Sequence, residues 1–271
     1  MFLENGTDAE ETVFDTLRRP ETSAVVIRGL LDESAQQRAV LNINEIPLSR
    51  WDSPNQGMPG GEVLTIGSAA TPTFRSFQGP SLADYVDSVR EDLPLLTQVF
   101  EACDLSGNLA ACFSRVMKVS QAEPAPLKNG GHSLPYNLRS LQTGQQIYAH
   151  HDQHYRLPIF EHFAETVNRN HLYSWFVQLS CADAGGELII YNIAGDDPNL
   201  PYLPTRFVDS AALDESCERC VVPLQPGDLV VFNSGRYVHR VTAVEDSTPR
   251  LTVGGFLTTS TAAQPDLFHW S

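Results

Sequence analysis

Residues 226–244 read PGDLVVFNSGRYVHRVTAV. Pro226 and Gly227 supply a tight turn, and Leu229, Val230, Val231 and Phe232 follow without a polar residue between them, the pattern of a strand buried on both faces. Asn233, Ser234 and Gly235 turn the chain back, and a second strand-like run opens at His239. An imidazole set among valines is costly to bury unless something pairs with it, so this pair of strands raises a chemical question as well as a structural one.

Runs of the same texture lie on either side: LRSLQTGQQIYAHH (138–151), YSWFVQLS (173–180), GGELIIYN (185–192), CVVPL (220–224) and RLTVGGFLTT (250–259). Short strands broken by TG, AGG, PGD and NSG indicate an antiparallel sandwich rather than a parallel α/β sheet. Upstream of residue 130 the texture changes. ETVFDTLRRPETSAVVIRGLLDESAQQRAVL (11–41) and SLADYVDSVREDLPLLTQVFEAC (81–103) carry apolar residues at three and four spacing, predicting amphipathic helices around a short VVIRG strand. The segment between His151 and Tyr173 is long and partly helical in pattern. The expectation is a mainly β fold with helices: a jelly roll (double-stranded β-helix) with a helical N-terminal half packed on it. Its parts are an N-terminal cover over 1–125 and a jelly-roll core over 126–271, forming one compact unit.

The chain has 271 residues, 42% of them hydrophobic and 19% charged, enough apolar material for a large core. Eighteen Lys and Arg against 33 Asp and Glu give a formal charge of −15. That charge repels phosphate backbones and anionic lipid, so a small-molecule partner is expected, with no nucleic acid and no membrane. Five cysteines, an odd number, argue against a secreted disulfide scaffold, and residues 1–20 lack an apolar leader core; a cytoplasmic location is expected. Cys217 and Cys220 form a CxxC without a second pair, which fits an incidental loop.

Three of eight histidines crowd into AHHDQHY (149–155). On a strand, residues two apart share a face, so His150 and Asp152 can address one ion while His151 points away. A third ligand must come from another strand, and His239 is available. Two imidazoles and a carboxylate leave three positions open, which suits Fe(II) binding a bidentate co-substrate and then O2. His154 shares the parity of Asp152 and is a reserve ligand. Eleven residues beyond His239, Arg250 begins an apolar strand with Thr252 on the same face; a buried guanidinium there needs a fixed carboxylate. The bland alternatives are that His150 is a satisfied core residue, Asp152 caps a turn and Arg250 reaches solvent.

HxD, then a distal His, then RxT, in that order on a jelly roll, resembles the Fe(II)/2-oxoglutarate-dependent dioxygenase superfamily. GQQIYAHHD, AGGELIIY and PGDLVVFNSGRYVHRVTAV are similar to its prolyl 4-hydroxylase-like branch, over residues 136–258. By that resemblance His150, Asp152 and His239 bind Fe(II), and Arg250 with Thr252 bind the C5 carboxylate of 2-oxoglutarate. Prolyl hydroxylases of the branch place a Tyr before the metal motif and a Lys at the Arg250 position; here the first stretch is NLRSLQTG (137–144). The Arg form is closer to bacterial enzymes that hydroxylate or halogenate free amino acids and other small metabolites. Halogenases of that group have a small residue where this chain has Asp152, which implies hydroxylation here.

Arg75 in TFRSFQG, Arg139 and Tyr148 are candidate substrate contacts, and Trp175 is most simply core. The resulting expectation is an oxygenase that hydroxylates an unactivated carbon of a free amino acid or natural-product precursor, releasing succinate and CO2. Alternatives left open are a peptidyl or protein hydroxylase, a desaturase or cyclase using the same site, a cupin-like metalloenzyme, and a jelly-roll metal-binding sensor.

Overall fold

The computed structural model describes residues 2–4, 12–19, 21–53, 63–67, 80–152, 158–263 and 266–271. Two antiparallel-rich sheets stack face to face. The larger contains β1 (Phe2–Glu4), β2 (Ala24–Ile27), β3 (Leu64–Ile66), β4 (Ala122–Pro124) and β5 (Asn137–Leu141). It also holds β7 (Tyr173–Ser180), β10 (Leu229–Phe232), β12 (Arg250–Thr259) and β13 (Leu267–Trp270). Its order is β1-β2-β10-β7-β12-β13-β4, with β5 also paired to β12 and β3 to β5. The smaller sheet runs β6 (Ile147–His150), β11 (Tyr237–Val241), β8 (Leu188–Ala194), β9 (Arg219–Val222).

β12 organises the large sheet. Its first half pairs with β5 and its second half with β13 along one edge, while β7 runs along the other. Gly254 and Gly255 sit at the handover. A Cβ on Gly254 would lie 2.4 Å from the Trp175 carbonyl oxygen, and one on Gly255 would lie 2.2 Å from that of Trp270, so only glycine lets the neighbouring backbones close in.

Alternation along the strands sorts side chains into layers. Val25, Trp175, Val177, Val231, Val253 and Leu257 face outward under the helices. That cover consists of α1 (Val13–Arg18), α2 (Glu33–Asn44), α3 (Leu82–Phe100) and α4 (Leu105–Met117). Thr12, Asp32, Ser81 and Asp104 cap their N-termini by accepting backbone N–H bonds, satisfying donors the helices leave free. On the inner face Val26, Val230 and Phe232 meet Leu188, Ile190 and Tyr237 of the smaller sheet. Leu213 of α5 (Ser210–Ser216) covers the far side of the smaller sheet against Ile189, Tyr191 and Val238. No helix among the described residues is long and apolar enough to cross a membrane.

The mainly β architecture with packed helices is the one expected, and the VVI of VVIRG falls in β2. Several details differ. β2 hydrogen-bonds into the large sheet between β1 and β10, so the N-terminal half contributes strands to the core as well as helices. α4 and β13 were not anticipated: LSGNLAACFSRVM carries a glycine in its first turn, and LFHW is too short to announce itself. His239 lies in the middle of β11 rather than at its start. Within the loop between β6 and β7, Pro158–Glu161 forms a 3-10 turn. Cys217 ends α5 and Cys220 lies on β9, both as free, half-buried thiols.

Candidate active site

β6 and β11 are neighbours in the smaller sheet, with His150 directly opposite His239. That register places the two imidazoles with ring centroids 4.3 Å apart. Asp152 follows β6 and is held by a backbone bond from its N–H to the Ser234 carbonyl at 2.9 Å. His150 Nε2 is 3.6 Å from Asp152 Oδ1, and His239 Nε2 is 3.8 Å from Oδ2. One donor atom from each residue falls within 4.8 Å of the others, the only group of three such residues found among the described ones.

The ring orientations are fixed locally. His150 Nδ1 bonds to the Tyr148 carbonyl at 2.6 Å and His239 Nδ1 to the Tyr237 carbonyl at 3.1 Å, each two residues back on its own strand. With Nδ1–H donated to a carbonyl, the Nε2 lone pair is left for a metal. Burial, with the His150 ring beside it, pushes His239 down to about 4 against the upward pull of Asp152. That imidazole is therefore neutral at physiological pH, the form that ligates. Ser174 Oγ donates to Asp152 Oδ2 at 2.9 Å and lies 2.7 Å from Ser234 Oγ. Sequence reasoning missed both serines; the available signal for Ser174 was a small hydroxyl beside Trp175, Phe176 and Val177 in the strand YSWFVQLS. Two imidazoles and a carboxylate on one side, with an open cavity on the other, are a donor set that fits Fe(II).

The cavity lies between the sheets, with a volume of about 310 Å³. His150, Asp152 and His239 are on one wall, and Arg139, Arg250 and Thr252 of the large sheet are on the other. Arg250 is 3% exposed, its guanidinium 4.9 Å from the centre of the Phe176 ring, and its Nη2 has no hydrogen-bond partner. Burial pushes its pKa down to about 10, with Arg139 as a like-charged neighbour, so it stays cationic at neutral pH. A buried guanidinium with a free N–H facing a cavity fits the carboxylate of an organic acid. Thr252 is buried beside it, directly opposite Arg139 in the register.

The structure thus brings His150, Asp152, His239, Arg139, Arg250 and Thr252 to one cavity. Tyr148 is not among the residues lining it. Two-residue parity put Tyr148 on the face of His150, but the β6–β11 register shifts: two steps along β11, from His239 to Val241, match three along β6, from His150 to Ile147. That bulge breaks the parity; Ile147 lines the cavity, and Tyr148 stacks on Phe207 with centroids 5.4 Å apart. The His151 ring lies against Gly195, where an added Cβ would come within 2.1 Å of it. Trp175 is core, edge-on to Phe113. Arg75 and His154 lie outside the described residues.

The sequence matches, over residues 5–271, the model of a protein family described as carrier-protein-independent halogenase WelO5. No curated protein matches it. Among solved structures, an N-substituted L-amino acid dioxygenase from Burkholderia ambifaria AMMD superposes with a TM-score of 0.55 at 14% identity, covering 99% of this chain and 96% of that one. The same dioxygenase in complex with alpha-KG gives 0.51 at 15% identity, covering 94% and 90%. At these identities the likeness is one of fold, and that fold is the jelly roll.

Proposed function

From the premise that this chain belongs to the carrier-protein-independent halogenase WelO5 family, we propose that it is a hydroxylase within that family, acting on a small metabolite such as a free amino acid or a natural-product precursor. The chain is an Fe(II)/2-oxoglutarate-dependent oxidoreductase. In this reading His150, Asp152 and His239 hold the iron, while Arg250 and Thr252 hold the C5 carboxylate of 2-oxoglutarate. Iron bound there, with 2-oxoglutarate and dioxygen, supplies an oxidant able to take a hydrogen atom from an unactivated carbon. The net change converts a C–H bond, dioxygen and 2-oxoglutarate into C–OH, succinate and CO2.

Each residue has a separate task. The backbone carbonyls of Tyr148 and Tyr237 lock the histidine tautomers, and Ser174 holds one oxygen of Asp152. Arg250 anchors the far end of the co-substrate by a charge-assisted bond. The apolar walls, including Phe232, Leu188 and Val241, keep bulk water from the reacting carbon.

The observation that carries this reading is Asp152. A carboxylate beside the two imidazoles occupies the position a halide would take, and its negative charge disfavours a second anion at the same ion. Wild-type enzyme with Fe(II), ascorbate, 2-oxoglutarate and abundant chloride should therefore convert a member of a panel of amino acids and related metabolites to a product that gains one oxygen. A chlorinated product in the mass spectrum would overturn the hydroxylase assignment. A product lacking two hydrogens would keep the metal set and replace hydroxyl transfer with desaturation or ring closure. Turnover confined to a proline-containing peptide would favour the peptidyl alternative.

A further inference from the structure

Hydrogen-bond donors without acceptors collect along one line of the cavity floor. Among the buried side-chain atoms that lack any partner are Arg250 Nη2, Asn137 Nδ2 and Trp270 Nε1, and all three residues line the cavity. Asn137 is 2% exposed and Trp270 1%, and buried donors of this kind are almost always paired with an acceptor. Three orphaned N–H donors in one cavity point to a ligand that supplies oxygen acceptors.

The registers order these groups. Arg250 begins β12; Arg139 stands opposite Thr252, Asn137 opposite Gly254, and Trp270 opposite Phe256. Each two-residue step along a strand advances roughly 7 Å. A five-carbon diacid anchored at Arg250 spans roughly one such step, as far as Thr252 and the metal-ligating wall. Asn137 and Trp270 lie beyond it, at the end where Phe256 and Ile159 supply apolar wall. Arg139 lies between the two ends, lining the cavity, with the Asp152 carboxylate as the opposite charge acting on it.

We infer that the Phe256 end of the cavity is a carboxylate-receiving subsite for the primary substrate, in which Asn137 Nδ2 and Trp270 Nε1 donate to the carboxylate oxygens and Arg139 supplies the balancing charge. The substrate class is a compact molecule with a free carboxylate and an apolar body that packs on Phe256 and Ile159. A metabolite whose carboxyl group is tied up as an ester, an amide or a carrier thioester lacks the charge this subsite matches. The inference rests on the Fe(II)/2-oxoglutarate reading and adds the substrate's charge and the direction in which it lies.

The test uses the anaerobic Fe(II)–2-oxoglutarate enzyme, whose metal-to-ligand absorption band reports binding without turnover. Probes are free L-amino acids and aliphatic and aromatic monocarboxylic acids, each paired with its primary amide. At least one acid should perturb the band at tenfold lower concentration than its amide. Arg139→Met should erase that preference, and Asn137→Leu and Trp270→Phe should each weaken the acid severalfold while 2-oxoglutarate affinity stays within about twofold of wild type. Trp270→Phe keeps an aromatic side chain but loses the pyrrole ring with its N–H from a fully buried position, so Asn137→Leu, on a different strand, is the independent second variant, and thermal unfolding of both is followed beside the titration. If no acid binds better than its amide, or if Asn137→Leu and Trp270→Phe leave the acid's affinity unchanged, the inference is overturned. A tenfold weakening of 2-oxoglutarate in Arg139→Met would also overturn it, because that charge would then belong to the co-substrate. Failure of wild type to form any band with 2-oxoglutarate would instead defeat the underlying functional reading.

Discussion

His150 and His239 are each fixed by an Nδ1 bond to a carbonyl that leaves Nε2 for the ion, and Asp152 is held by Ser174 and by the Ser234 carbonyl. His151, between His150 and Asp152, lies with its ring against Gly195. His150→Ala, Asp152→Ala and His239→Ala should each abolish turnover and weaken Fe(II) binding more than about 100-fold. Ser174→Ala, which only orients Asp152, should cost about 10- to 100-fold. His151→Ala should retain most activity; anaerobic Fe(II) titration of the five single-site variants checks the order. A dead His151→Ala beside an active His150→Ala would mean that the strand faces are reversed. This residue set was legible because strand side chains alternate and because imidazole, carboxylate and guanidinium are expensive to bury without a partner. Asn137 and Trp270 were not legible. An asparagine or tryptophan on a strand is unremarkable in sequence, and only the absence of a partner in three dimensions makes either one informative.

Among the elements, the turn before β8 determines how Arg250 is held. Gly186 has φ +75°, and a Cβ there would stand 3.1 Å from Arg250 Cδ, against the stem that carries the guanidinium. Gly144 has φ +78° with nothing within 4 Å, so it shares the backbone constraint without the contact. Alanine at either position should cost about 1–2 kcal/mol of stability from the left-handed backbone. Only Gly186→Ala should also weaken 2-oxoglutarate binding severalfold, moving toward Arg250→Ala, where loss of the charged partner removes about 2–5 kcal/mol. Equal 2-oxoglutarate affinity in the two glycine variants, by anaerobic titration, would show that the Gly186 contact does not position Arg250. GGE, PGD and the apolar runs made most strands legible, since turn chemistry and two-residue alternation are local properties. The bulge in β6 is not local; it arises where β6 must match β11, and it alone moves Tyr148 off the expected face.

At the scale of the whole molecule, two buried neutral histidines oppose a strongly acidic surface in the response to pH. Burial pushes His239 and His269 each down to about 4, and His269 is held among Phe113 and Trp175 with Nδ1 bonded to the Pro135 carbonyl. In the unfolded chain a histidine titrates near 6.5. Below that pH the unfolded state takes up protons first, so the stability both histidines contribute is complete above about 6.5 and declines as pH falls toward 4. Each contributes up to about 3 kcal/mol over that window. The surface acts in the other direction: a net charge of −15 at pH 7 repels itself, and that repulsion relaxes as carboxylates are protonated. Raising the ionic strength shrinks the surface effect, because salt screens exposed charges far more than buried groups. Denaturant unfolding of the metal-free protein in high salt should therefore show stability falling steadily from pH 7 to pH 4.5. His269→Gln, which keeps a donor for Pro135 but cannot take up a proton, should remove roughly half of that slope and leave the metal site intact. A slope unchanged by His269→Gln would mean that His269 does not carry this linkage, and a slope of opposite sign in high salt would mean that the carboxylates dominate even when screened.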